Sequence, residues 1–351
     1  MNYNQDLSKQ ITFLLPLKDR EYISRRLIKY LNSIDFKLNI IVADGSLRSQ
    51  ENLFFELKKK HNLKFKKFPY DKDPFLFVKK LSESVENIHT EYCALMESDE
   101  LINFETYIFF LDFLKNNLSY TFVTGKIINF DLKKDKLIQI HQKQCHPDFD
   151  KLLKSKFDIK YHPSCWEGLH RSYNLKKSLQ NIFKVSDKNF NILSLVKFLN
   201  IFTFAQGDAK FFQSKFISFR QANTSQFDNN FTTSASKIMQ QSNKIKTFLF
   251  LKSIQYIFKM YWTVENLQNK NLKKMFIKYY AVHFINVICQ DLQNFLIKLL
   301  TYIKRKIKDK KIVINKNDKF INIGGTNIDG YNFLNIQEKN KIRDLISYFQ
   351  I

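Results

Sequence analysis

The sequence predicts an open α/β sheet with helices on both faces. Apolar runs uniform enough to be buried on both sides alternate with segments of helical spacing across the first hundred residues. Several of these runs stop abruptly at a polar or acidic turn. The chain has 351 residues, 44% hydrophobic and 15% aromatic, which is ample material for a core.

Ile11-Thr12-Phe13-Leu14-Leu15-Pro16-Leu17 reads as a buried strand ended by Pro16, and Lys18-Asp19-Arg20 as a polar loop. Glu21 to Ser33 has helical spacing, with apolar Tyr22, Ile23, Leu27, Ile28, Tyr30 and Leu31. Leu38 to Ala43 is a second apolar strand, closed by Asp44-Gly45-Ser46. Glu51 to His61 reads as a helix and Leu63 to Phe68 as a short third strand. Phe75 to Ile88 carries one stripe of Phe77, Val78, Leu81, Val85 and Ile88, the mark of a third helix. Tyr92 to Met96 is the fourth strand.

Phe104 to Asn116 is helical, and Tyr120 to Phe130 is strand material. Leu137 to Phe157 is polar and reads as a mobile loop. Ser164 to Arg171 resembles a strand, Phe190 to Phe204 a helix, and Lys215 to Arg220 a strand after the turn Gln206-Gly207-Asp208. A polar stretch from Asn223 to Ser236 marks a boundary near residue 225. The expected domains are therefore 1–225, the α/β part, and 226–351, a mainly helical region. In the latter, Ala281 to Ile307 keeps a helical apolar stripe that ends in a lysine-rich run.

The net charge is +24 and unevenly spread. Residues 1–150 carry 23 Lys and Arg against 21 Asp and Glu, whereas 151–351 carry 34 against 12. The basic half suits a polyanion, an acidic substrate or an anionic membrane surface. Cations at a helix C-terminus also simply oppose its dipole, so the basic helix has a structural reading beside the membrane one. Glycine is scarce, at 7 residues, which argues against a glycine-rich phosphate loop. Four scattered cysteines without a CxxC pair indicate neither a zinc site nor a disulfide framework and fit a reducing compartment. The first ten residues lack the apolar core of a signal peptide, and no run of 18 apolar residues occurs. The expected location is the cytoplasm, with peripheral contact at the inner face of the membrane as a further option.

The sharpest chemical signal is Glu97-Ser98-Asp99-Glu100, three carboxylates in four residues at the end of an apolar strand. Like charges in one place repel and resist desolvation, and a divalent cation relieves both costs. On an extended segment Glu97 and Asp99 share one side, while Ser98 and Glu100 share the other. In an open α/β sheet, ligands bind beyond the carboxyl ends of the strands. Pro16 to Arg20, Asp44 to Ser46 and Glu97 to Glu100 all fall there. A nucleotide-sugar site needs a base reader, a metal on the diphosphate and a base for the acceptor hydroxyl. Asp44 suits the first role and Glu97, Asp99 and Glu100 the second. Glu167, Asp187 and Asp208 are the acids between residues 159 and 227 from which the third must come. Arg171 reads equally well as a phosphate ligand or as an ion pair within the fold.

Phe13-Leu14-Leu15-Pro16-Leu17-Lys18-Asp19-Arg20, Ile41-Val42-Ala43-Asp44-Gly45-Ser46 and Cys93-Ala94-Leu95-Met96-Glu97-Ser98-Asp99-Glu100 resemble, in order, three motifs of family 2-like glycosyltransferases with the GT-A fold. These are the opening strand and loop, the strand with the base-reading aspartate, and the strand leading to the acidic metal motif. More narrowly, the chain resembles a bacterial subgroup with an aspartate triplet and a later aromatic strand ending in arginine, here Trp166 to Arg171. The resemblance covers residues 11–225. It implies a GT-A, Rossmann-like, mixed and mostly parallel sheet followed by a helical region. It implies Mn²⁺ or Mg²⁺ among Glu97, Asp99 and Glu100, held either by Glu97 and Asp99 or by Asp99 and Glu100, with the donor held by Pro16, Lys18, Arg20, Asp44, Ser46, Ser98 and Arg171. Asp187 and Glu167 are the candidate catalytic acids. The substrates are then a nucleoside-diphosphate sugar and a saccharide or lipid-linked acceptor, with no specific nucleic acid. The chain departs from the subgroup in two places. The triplet is Ser98-Asp99-Glu100 preceded by an extra acid, and Asn189-Phe190-Asn191 stands where an acid near the start of a helix is expected. Two other classes stay open: a non-catalytic sugar-binding descendant, and a basic protein that binds nucleic acid or an anionic surface. A nucleotidyltransferase would carry a glycine-rich loop after the first strand, and Leu15 to Arg20 has no glycine.

Overall fold

Residues 6–133, 136–142, 165–188, 190 and 192–221 are described by the computed structural model. The apolar runs of the first hundred residues form four parallel strands: β1 (Ile11–Leu17), β2 (Asn39–Asp44), β3 (Asn62–Lys67) and β4 (Tyr92–Leu95). They lie in the order β3-β2-β1-β4, with Leu17 opposite Asp44 and Leu14 opposite Leu95. β1 is buried along its whole length, as its apolar sequence requires. It runs through Pro16, which pairs with Ala43, rather than ending there.

Helix α1 (Glu21–Ser33) follows β1, and α2 (Pro74–Ser84) precedes β4. Asp73 caps α2 by accepting the Leu76 N–H at 2.9 Å, and Pro74 sits in the first turn, where a missing N–H costs nothing. Then come β5 (Glu100–Ile102), α3 (Phe104–Asn116), β6 (Tyr120–Lys133) and β7 (Lys136–Gln142). The described chain closes with β8 (Leu169–Arg171), α4 (Ser172–Val185), α5 (Ile192–Gln206) and β9 (Asp208–Gln221).

The full order is β3-β2-β1-β4-β8-β6-β9-β5, with β7 paired to β6. β8 runs antiparallel to β4 and β6, whereas β6 and β9 are parallel. The sheet is thus mixed, with an all-parallel first half. Alternate residues of β1, Ile11, Phe13, Leu15 and Leu17, share a core with Leu27 and Leu31 of α1 and Phe104, Phe110 and Leu114 of α3. Phe13 meets Phe104 edge-on at 5.4 Å between ring centres. On the second face α2 packs against α4. Each such side chain contributes about 1.5–3 kcal/mol when buried.

Three expectations need correction. Glu51 to His61 is not one α-helix but two tight turns, Glu51–Phe54 and Glu56–Lys59. The segment is pinned at Gln50 to the end of β2 and must reach the start of β3, and the tighter helix covers more length per residue. Leu137 to Gln142, the start of the segment expected as loop, belongs to β7 and pairs with β6 as an antiparallel strand. Of the described residues 165–171, Leu169 to Arg171 are strand, because Gly168, at φ 148°, turns the chain just before them. The region 226–351, the basic helix expected in it and most of the 137–157 segment lie outside the described residues.

Candidate active site

The candidate residues lie at the carboxyl ends of β1, β2 and β4. After β1 the chain makes a strained turn, with Asp19 at φ 50° and Arg20 at φ 58°, both left-handed without being glycine. Such residues cost about 1–3 kcal/mol each and persist only where their surroundings hold them. Here Asp19 N–H donates to Ser46 Oγ at 2.7 Å, and Asp19 Oδ1 accepts the Leu47 N–H at 2.9 Å. The Asp19 carbonyl accepts from Gln50 Nε2 at 2.8 Å. The turn starts α1 and aims Arg20 across to the end of β4. Its Nη2 stands 3.5 Å from Ser98 Oγ and 3.8 Å from Asp99 Oδ2. Arg20 Nε and Nη1 are buried and make no hydrogen bond.

Asp44 ends β2 and is fully buried. Its Oδ1 accepts the Ser46 N–H at 2.9 Å and its Oδ2 the Gln50 N–H at 3.1 Å, with Lys67 Nζ at 3.9 Å. The carboxylate therefore shapes the 45–50 loop. Ser46 is a pin within that loop, its Oγ accepting from Asp19 N–H and Gln50 Nε2. Beneath it lies a buried ion pair that sequence reading did not single out. Lys80 Nζ pairs with Asp71 Oδ2 and donates to the Leu17 carbonyl at 2.8 Å. Burial raises the Asp71 carboxyl above its ordinary range, and Lys80 only partly opposes that; burial likewise lowers Lys80. Gly45 is required beside this pair, since a Cβ there would lie 2.2 Å from Asp71 Oδ2. Lys18 stands over the Tyr70 ring, 5.5 Å from its centre.

At the end of β4 the acids divide. Ser98, Asp99 and Glu100 are buried, and Glu97 is partly open. One guanidinium serves three acids. Arg220 Nη2 pairs with Glu100, lies 3.2 Å from Glu97 Oε2 and 3.1 Å from Glu167 Oε1. Backbone pairing sets this up, because Glu100 of β5 lies directly opposite Arg220 of β9. The Glu97 carboxyl hydrogen-bonds Asp99 and is pushed up to about 7. Burial is the main cause, the charges of Asp99 and Glu167 add to it, and Arg220 opposes it. Arg26 is buried near Asp99, and that burial lowers its guanidinium to about 10.

The sequence-read residues thus fall into three groups. Pro16, Lys18, Arg20, Asp44, Ser46, Ser98, Glu97, Asp99 and Glu100 come together at the carboxyl edge, and Glu167 joins them through Arg220. Asp187 is placed in the turn after α4, where its carbonyl accepts the Phe190 N–H at 2.8 Å. Arg171 does not take the phosphate-binding place. It pairs with Tyr92 at the start of β4, opposite to the end that bears the acids. There it donates to the carbonyls of Tyr120 at 2.9 Å and Leu114 at 2.7 Å and pairs with Glu91 at 3.2 Å, a structural clamp. Sequence reading placed Arg220 at the end of a strand and gave it no role at the site; its local signal is a lone arginine ending the apolar Phe216 to Phe219 run.

Among the described residues, no three carboxylate, imidazole or thiol groups stand together as a metal cage. Glu97 and Asp99 form a pair with heightened proton affinity at Glu97. Such a pair fits a hard dication that brings its other oxygens from phosphate and water.

The topology, with its parallel first half and acids beyond β4, is that of the GT-A, Rossmann-like fold. No family model and no curated protein sequence matches the chain. Among solved structures it is similar to S. aureus TarS 1–349 in complex with UDP, with a TM-score of 0.50 and 13% identity over 90% of this chain and 98% of that one. For TarS 1–349 in complex with UDP-GlcNAc the TM-score is 0.44 and the identity 15%, over 62% and 60%. The chain spans only 37% of the longer TarS chain, with a TM-score of 0.44, 15% identity and 61% of this chain covered. At such identities the likeness is one of fold. Among the described residues, no helix is long and apolar enough to cross a membrane.

Proposed function

We propose that the protein is a glycosyltransferase that moves a sugar from a nucleoside-diphosphate sugar to a saccharide or lipid-linked acceptor. The observation that carries this reading is Arg20. A strained turn aims its guanidinium, with two buried N–H groups that make no hydrogen bond, at the acids ending β4. An anionic diphosphate laid between the α1 N-terminus and Asp99 would satisfy those donors. Glu97 and Asp99 would hold Mn²⁺ or Mg²⁺, which supplies neutralisation of the departing diphosphate. Asp44, Ser46 and Gln50 form the frame that holds the Arg20 turn, and Lys18 with Tyr70 stands at the nucleotide end. Glu167 is the proposed base, since Arg220 holds its carboxylate beside the acids, with Asp187 as the second candidate. The acceptor hydroxyl gives its proton to that carboxylate as its oxygen bonds to the anomeric carbon. The bond from that carbon to the diphosphate oxygen breaks, and the nucleoside diphosphate leaves with the electron pair.

The basic half, with 34 Lys and Arg against 12 Asp and Glu, supports an anionic or membrane-borne acceptor at the inner membrane face. Liposome sedimentation tests this, and equal partitioning with and without anionic lipid counts against it. For the donor, a thermal-shift screen of UDP and of nucleotide sugars with and without Mn²⁺ is decisive. Metal-dependent stabilisation by one nucleotide class is expected, about 2.7 kcal/mol at a hundredfold excess over Kd. No response to any of them overturns the proposal. Binding without turnover favours the non-catalytic sugar-binding reading.

A further inference from the structure

Arg220 occupies an unusual position for a residue outside the nucleotide loops. Its guanidinium is shared by Glu97, Glu100 and Glu167, and the three contacts are not equivalent. The Glu100 and Glu167 side chains are 3% and 8% exposed, and Glu100 lies directly across the strand pair from Arg220. Those two hold the guanidinium in the resting site, since removing either leaves a buried charge without its partner. Glu97 is 20% exposed and Arg220 itself 24%, so this third contact faces the open side and is the exchangeable one.

We propose that Arg220 is the resident counter-cation of the acidic edge and sets the order of binding, so that the divalent cation enters with the diphosphate and not ahead of it. This rests on the transferase reading of the same edge. A dication arriving alone must take Glu97 from the guanidinium, and it gains only Glu97 and Asp99 in return. A dication arriving with a diphosphate brings phosphate oxygens as further ligands. The diphosphate also offers the guanidinium a new anionic partner on the side that Glu97 has left, while Glu100 and Glu167 keep its other edge in place. Cation and diphosphate therefore help each other to bind, and by linkage the help is mutual. Without Arg220, Glu97 and Asp99 repel with less compensation, and a dication alone becomes the best remedy.

Mn²⁺ binding, followed by loss of the free-ion electron paramagnetic resonance signal, tests this on the full chain. The wild type is expected to take up Mn²⁺ weakly alone and at least tenfold more tightly with UDP present. Arg220→Gln is expected to bind Mn²⁺ alone at least tenfold more tightly than the wild type and to gain little from UDP. An Arg220→Gln affinity for Mn²⁺ alone no greater than that of the wild type overturns the inference. If Arg220→Gln does not fold, Arg220→Lys serves. It keeps the charge but loses the planar fork that reaches three carboxylates, so intermediate uptake is expected. Uptake equal to that of the wild type overturns the inference there as well. The comparison in Mn²⁺ alone needs no nucleotide, so it judges Arg220 separately. UDP that neither binds nor recruits Mn²⁺ in any form sinks the transferase reading instead.

Discussion

Replacing Lys80 with methionine tests whether the floor of the site is electrostatic. Lys80 is 1% exposed and Asp71 fully buried. Methionine fills much the same volume but removes the cation paired with Asp71 and the donor at 2.8 Å to the Leu17 carbonyl. Breaking a buried pair by deleting one partner costs about 3–5 kcal/mol. With a urea slope of about 2 kcal/mol/M, the unfolding midpoint falls by about 2 M. The pH dependence carries the sign of the cause. Burial already raises the Asp71 carboxyl above its ordinary value of 3.8 with Lys80 beside it, and losing Lys80 raises it further. A folded state that holds this proton more tightly than the unfolded chain loses stability as pH rises from 3.8 through the raised value. The defect of Lys80→Met is therefore smaller at pH 5 than at pH 8. Adding Asp71→Asn removes the stranded charge and recovers at least half of the loss. A single-variant midpoint within about 0.3 M of wild type in urea refutes the reasoning. A defect equal at both pH values, with no recovery in the double variant, refutes the charge account even if stability falls.

Gly45→Ala drives a Cβ to within 2.2 Å of the Asp71 carboxylate and displaces a buried pair. A loss of about 1–3 kcal/mol in chemical denaturation is expected, together with a weaker thermal response to UDP. Arg171→Met leaves the carbonyls of Leu114 and Tyr120 without their donor and costs about 2–4 kcal/mol, while UDP binding by titration calorimetry stays at the wild-type value. His170 is fully buried, its ring 4.5 Å from Phe122 and its Nε2 2.8 Å from the Cys165 carbonyl. Burial pushes it down from 6.5 to about 4, so the unfolded chain takes up a proton that the folded state refuses. Stability falls as pH drops from 6.5 to 4, by up to about 3 kcal/mol, and His170→Gln flattens that limb of an unfolding series.

Local sequence determined the parts of this protein that depend on burial and hydrogen-bonding period. β1, β2 and β4 are legible because strands buried on both faces must be apolar throughout, and their polar ends mark the carboxyl edge. Asp44 and the Glu97 to Glu100 cluster are legible because such charges at the end of a buried run demand a reason. Tertiary structure decided everything that rests on pairing between distant segments. Glu100 meets Arg220, and Lys80 meets the Leu17 carbonyl, only because strands and helices far apart in the chain close onto one edge. No periodicity encodes that register. The same closure made Glu51 to His61 two tight turns, put Arg171 at the far end of β4, and made Asp44 the holder of its own loop. Apolar patterning reports which side of an element is buried. The partners of a buried charge are set by the packing of the whole sheet, and so the acids were visible in the sequence while the cation among them was not.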